Sequence, residues 1–391
     1  MKDDSTEISA RRRYFRYAVF SLTALLVMSL GMAIVPRQPP APAETPFSER
    51  ARAAALADAL ALRAAGQELA GAAAGDGGPG TDTALDRTVT LLTIQARALV
   101  LPGDTPTASA GTGPGHRTAQ ASSAGVPASP GNSATPGPAS LSELATDLAA
   151  SGATRLTDAL EADGGMARLL AGAGAAQLLA AGEIAALAGV PAAELPGWQE
   201  PAGPSAQPSP ARGCTSAGPS GGADGERVDP GTGAGLGAAL TATLDAEHQA
   251  VYGYQAALTR LDPTAATQAS SLLAEHLDLA DEAETYAALQ CTAIPPTPPG
   301  YVLDPAFLGA PAAGLARLES ATLTAFGDVV ALSAAPARGW AVSALVAAAR
   351  RTANWGVDPG PVPGLTLDES QLPALPDRPE NAALTASPAA T

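Results

Sequence analysis

The sequence predicts an all-α protein. Three observations lead there. Leu and Ala recur at helical three- and four-residue steps over long stretches. The strand-forming residues are scarce, with aromatics at 4%, which argues against a large sheet. Gly and Pro together make up roughly a fifth of the chain and gather in unpatterned stretches that separate the helical ones. A length of 391 residues sets an expectation of two or three domains. The chain is strongly acidic, with net charge −16, and Lys2 is its only lysine. Phosphate binding needs a basic footprint, so no nucleic-acid partner is expected. Two cysteines and three histidines exclude a zinc-finger array or a disulfide-dense scaffold. The chain contains no P-loop, nucleotide fingerprint, nucleophile elbow or H-E-x-x-H.

The first element is an address. Residues 1–16 form a basic leader ending in Arg11, Arg12, Arg13 and Arg16, and residues 17–35, YAVFSLTALLVMSLGMAIV, carry no charge. Nineteen helical residues rise about 28 Å, close to the ~30 Å hydrocarbon core. The basic flank keeps the N-terminus cytoplasmic and places the chain beyond Val35 outside. Arg12-Arg13-Tyr14-Phe15 resembles the R-R-x-F core of a twin-arginine export signal, with Arg16 where that signal has Leu. Ala41-Pro42-Ala43 fits an A-x-A cleavage pattern. A transmembrane anchor and a cleaved signal peptide are thus both open. The expected location is the cell membrane with an extracytoplasmic part, or export if the signal is cleaved.

Residues 36–46 read as a stiff Pro-rich spacer, and 47–198 as an Ala-rich helical domain. Leu85, Val89, Leu92, Ala96 and Leu99 step along one helix face, as do Ala55, Ala59, Leu62 and Leu69. GDGGPG at 75–80 is a break. Residues 102–139 lack periodicity and are expected to be disordered. Stripes return at Leu141, Leu144, Leu148, Leu156 and Leu160, and at Met166, Leu170, Ala173, Gln177, Ala180, Ile184 and Leu187. Residues 199–234 read as a disordered linker. A four-helix bundle is expected over 235–357, with helices near 235–261, 264–290, 311–334 and 336–355, the middle two joined by a Pro-rich crossover. Residues 358–391 read as a flexible tail.

The candidate site lies in that last bundle. Glu247 falls between Leu244 and Val251 on a stripe that demands apolar side chains. A carboxylate there must be paired, hydrogen-bonded or metal-bound. His276 holds the equivalent position on the second helix, and Glu319 lies on the apolar face of the third. His248 points about 100° away from Glu247. Arg350 or Arg351 on the fourth helix is a candidate buried cation. Cys214 and Cys291, the only thiols of an exported chain, are candidates for a disulfide.

Four stretches carry a resemblance: LDAEHQAVYGYQAALTRL at 244–261, AEHLDLADEAETYAAL at 274–289, GLARLESATLTAF at 314–326 and VSALVAAARRTANW at 342–355. With the E-H-x-x-x-Y-x-Y opening at Glu247, His248, Tyr252 and Tyr254, they resemble the ferritin-like domain of unknown function of actinobacterial envelope proteins. The resemblance implies a four-helix bundle, which in the wider fold often holds two metal ions. A di-iron centre takes a Glu from each of two helices and Glu-x-x-His from each of two others. Here Leu273 stands three residues before His276, and the fourth helix has no histidine, so half of that ligand set is missing. Two readings remain. One is a degenerate bundle in a non-catalytic binding or scaffold role, with a Glu–His hydrogen bond setting helix register. The other is a single iron or zinc ion held by Glu247, His276 and Glu319 in an iron-handling protein or oxidoreductase. The protein partner is unidentified, and a homodimer is left open.

Overall fold

The computed structural model describes residues 14–15, 17–26, 44–73, 79–101, 140–198 and 235–375. The chain divides into two compact units, Met1–Thr45 and Pro46–Thr391. In the first, Tyr17–Leu26 is a short apolar helix with its large side chains exposed. The rest of the expected 17–35 span lies outside the described residues, as do the expected disordered stretches at 102–139 and 199–234. Among the described residues, one helix, Gly164–Ala188, has the length and apolarity to cross a membrane, but most of its apolar window is buried inside the protein. It is a core helix.

The second unit is all-helical among the described residues. Its first half contains α1 (Phe47–Ala73), α2 (Pro79–Leu99), α3 (Leu141–Glu161) and α4 (Gly164–Ala188). The Ser140 side chain accepts the Glu143 N–H at the start of α3, and Asp163 does the same for Met166 at the start of α4. Gly189, left-handed at φ 71°, ends α4. The stripe read at Leu85, Leu92, Ala96 and Leu99 is buried. Helices α3 and α4 approach closely at Gly152 and Gly174, where a Cβ on either would fall under 3.0 Å from the other's carbonyl oxygen.

The second half contains α5 (Leu236–Ala257), α6 (Pro263–Leu289), the short α7 (Pro305–Gly309), α8 (Pro311–Leu332) and α9 (Ala337–Asn354). These are the four expected long helices, with α7 added at the end of the crossover. α5 packs against both α6 and α8, and α8 against α9. Pro263 stands in the first turn of α6, capped by Asp262, and Pro311 in the first turn of α8, where the missing N–H costs nothing. Cys291, at φ 53°, turns the chain out of α6 and is disulfide-bonded. Its expected partner Cys214 lies outside the described residues.

Two features differ from the expected organisation. First, the Ala-rich helices and the C-terminal bundle share one core. Leu156 and Leu170 belong to the same buried cluster as Leu240, Phe326, Val329, Trp340 and Leu345. α4 is apolar nearly all round because it serves both halves. Second, residues 358–375 are not a loose tail but a strap packed across the molecule. Val362 is buried. Arg97 on α2 donates to the carbonyls of Glu369, Leu372 and Pro373 at 2.8, 2.8 and 3.0 Å. Gln95 donates to Pro361 O at 2.8 Å and Arg168 to Gly364 O at 2.7 Å. Gly172 and Gly327 leave room for the strap, since a Cβ would fall 2.6 Å from Pro363 O and 2.4 Å from Gly364 O respectively. A Pro/Gly-rich stretch carries no periodicity, yet its carbonyls satisfy donors on helices far away in sequence.

Candidate functional site

The three residues singled out from the helix stripes meet in the middle of the second half, each fully buried: Glu247 on α5, His276 on α6 and Glu319 on α8. His276 Nδ1 lies 2.6 Å from Glu247 Oε2, and His276 Nε2 lies 2.9 Å from Glu319 Oε1. Each ring nitrogen thus faces a carboxylate oxygen, and with the ring protonated both donate. Arg351 on α9, 2% exposed, is the second cation. Its Nε donates to Glu319 Oε2 at 2.9 Å. Arg350, one residue earlier, faces solvent. Tyr254 Oη donates to Glu319 Oε1 at 2.5 Å, and Trp355 Nε1 donates to Tyr254 Oη at 2.7 Å. Half-exposed Glu275 lies 3.8 Å from Arg351 Nη1 at the edge of the network.

Acidic and basic side chains thus face one another in a centre shielded from solvent. Burial opposes charge on His276, but the hydrogen bonds and negative charges of Glu247 and Glu319 overcome it and raise its pKa above the ordinary 6.5. Burial would likewise push Glu319 up, but the bonds from His276 and Tyr254 and the charge of Arg351 hold it below the ordinary carboxylate value of 4.5. Burial and the neighbouring Glu319 raise Tyr254 far above a normal phenol.

These directions set a pH dependence. A pKa raised by folding stabilises the fold fully below the ordinary value and ceases to as pH rises through the folded value. A pKa lowered by folding stabilises above 4.5 and ceases to as pH falls. The centre therefore contributes most between about pH 4.5 and 6.5. Melting of the wild type by circular dichroism should fall off from pH 7 to 9, whereas His276→Gln should be flat over that range. Parallel curves for the two proteins would show that the imidazolium does not hold the centre together.

The same geometry decides how well a metal ion fits. Glu247, His276 and Glu319 present six possible donor atoms. Both ring nitrogens, both Glu319 oxygens and one Glu247 oxygen are already engaged with one another, Arg351 or Tyr254. Glu247 Oε1 alone makes no hydrogen bond. A bound metal takes three or four protein donors, and no group of three His, Cys, Asp or Glu among the described residues is arranged to hold one. Arg351 already places a positive charge against Glu319, where a metal held by Glu247, His276 and Glu319 would bring its own.

His248 lies on the flank of α5, partly exposed, as its phase requires. Sequence reasoning did not place Tyr254 and Trp355 in the site. Their spacing held the signal: Tyr254 follows Glu247 by seven residues, on the same helix face, and Trp355 follows Arg351 by four.

Residues 239–367 match a family described as a Domain of unknown function (DUF4439). The match covers roughly a third of the chain and runs from α5 through α9 into the strap. No curated protein and no solved structure matches the chain.

Proposed function

We propose that this is a cell-envelope protein in which a degenerate ferritin-like bundle serves a non-catalytic binding or scaffold role. Residues 17–35 hold it to the membrane or direct its export. One observation carries this reading. Glu247, His276, Glu319 and Arg351 bond mainly to one another where a metal-dependent bundle would present open ligands, leaving only Glu247 Oε1 and the Arg351 Nη atoms without a hydrogen bond. An apolar run behind an Arg-rich flank supports the envelope location. The stretches at 244–261, 274–289, 314–326 and 342–355 support the ferritin-like assignment.

Metal analysis tests the reading. The full chain, purified without chelator and reconstituted with Zn²⁺ or Fe²⁺, should retain less than stoichiometric metal, and neither ion should raise its melting temperature. Glu247→Gln keeps an acceptor for His276 Nδ1 but removes a buried negative charge, so it should cost less than Glu247→Leu. Glu247→Leu should cost about 1–3 kcal/mol because His276 Nδ1 is left without its acceptor. One tightly held ion per chain, lost on Glu247→Gln, would replace this reading with an iron- or zinc-dependent one.

A further inference from the structure

A groove of about 820 Å³ opens where α2, α4 and the turn after α9 meet. It is separate from the buried centre and within the ordinary size range of small-molecule sites. We propose that it binds a linear aliphatic polyamine, a flexible chain of ammonium groups joined by methylene spacers.

Charge and shape together select that class. Leu91 and Ile94 of α2, Leu179 of α4 and Val357 of the turn supply apolar surface, and Val357 is 40% exposed. Around them stand the carboxylates of Asp86, Glu183, Asp358 and Glu369, against one cation among the described lining residues, Arg87. Arg87 is already ion-paired with Glu183. Asp358 accepts the Gly360 N–H at 2.8 Å. Asp86, Asp358 and Glu369 are exposed and make no ion pair among the described residues. An anionic ligand would meet three uncompensated like charges. An uncharged apolar ligand would cover carboxylates without pairing them, which is costly. A single metal ion needs converging donors, and no group of three such side chains among the described residues converges on one. The three carboxylates come instead from three separate elements around an apolar trough. Several cationic groups with methylenes between them meet both requirements: each ammonium pairs with a carboxylate while the spacers cover the apolar surface.

Titration calorimetry of the full chain in non-ionic detergent, with spermine as the probe, tests the proposal. Saturable binding of one spermine per chain is expected, weakening as NaCl is raised from 50 to 300 mM. The triple variant Asp86→Asn, Asp358→Asn, Glu369→Gln should weaken binding at least ten-fold. A control triple with the same charge change on exposed α6, Asp278→Asn, Asp281→Asn and Glu284→Gln, should leave it unchanged. All six substitutions are near-isosteric and exposed, so unchanged melting temperatures verify folding. The proposal is overturned if the two triples weaken binding equally, which would indicate bulk charge. It is also overturned if Mg²⁺ displaces spermine at equal concentration, or if no saturable binding occurs.

Discussion

Glu319→Ala is expected to lower the unfolding free energy of the Pro46–Thr391 unit by about 3–5 kcal/mol, the cost typical of removing one partner from a buried ion cluster. Glu319 accepts from three donors at once: His276 Nε2, Tyr254 Oη and Arg351 Nε. Truncating it leaves a buried imidazolium with one carboxylate instead of two, a guanidinium without its hydrogen-bonded acceptor, and a phenol with no acceptor. Most of the cost is their desolvation, not lost packing, and a companion variant separates the two. Glu319→Met combined with Arg351→Met removes one charge of each sign and fills similar volume, so it should recover part of the loss. Urea denaturation followed by circular dichroism measures both. A loss below about 1 kcal/mol for Glu319→Ala, or no recovery in the double variant, would show that the network contributes little.

The second large effect concerns the strap. A chain ending at Val357 should be destabilised by several kcal/mol, roughly 5, although none of the long helices is touched. The truncation removes the acceptors of Arg97, Gln95 and Arg168 and uncovers the groove over Gly172 and Gly327 that Val362 and its neighbours fill. Hydrogen bonds to charged donors contribute about 1.5–3 kcal/mol each when buried. Burying a Val side chain adds about 1.5–3 kcal/mol. Against a typical domain stability of about 5–15 kcal/mol, that loss is large. Gly327→Ala should mimic part of it, since its Cβ collides with Gly364 O. A truncated chain with the full-length urea midpoint would contradict the strap's role.

Much of the fold is legible in the sequence because the relevant physics is local. Apolar steps of three and four residues place one face of each helix inward whatever it packs against. The stripe through Leu244, Glu247 and Tyr254 therefore locates a buried carboxylate without reference to its partners. His276 and Glu319 are legible in the same way. Caps such as Asp163 and Asp262, and breaks such as Gly189 and the 295–299 prolines, also act within a few residues.

Other features depend on partners distant in the chain. Arg350 and Arg351 are equivalent by composition, and only the rotation of α9 against α8 brings Arg351 to Glu319 and leaves Arg350 in solvent. The same placement sets a guanidinium against Glu319, which engages an oxygen that a metal would otherwise use. The sharing of α4 between two bundles, and the strap held by Arg97 about 270 residues before it, have no periodic signature, since carbonyl acceptors are present at every residue. Which residues turn inward is written in the order of the amino acids, because helical geometry converts spacing directly into facing. Which of them meet is settled by packing alone, because pairing energies depend on distances of a few ångströms between segments with no local link.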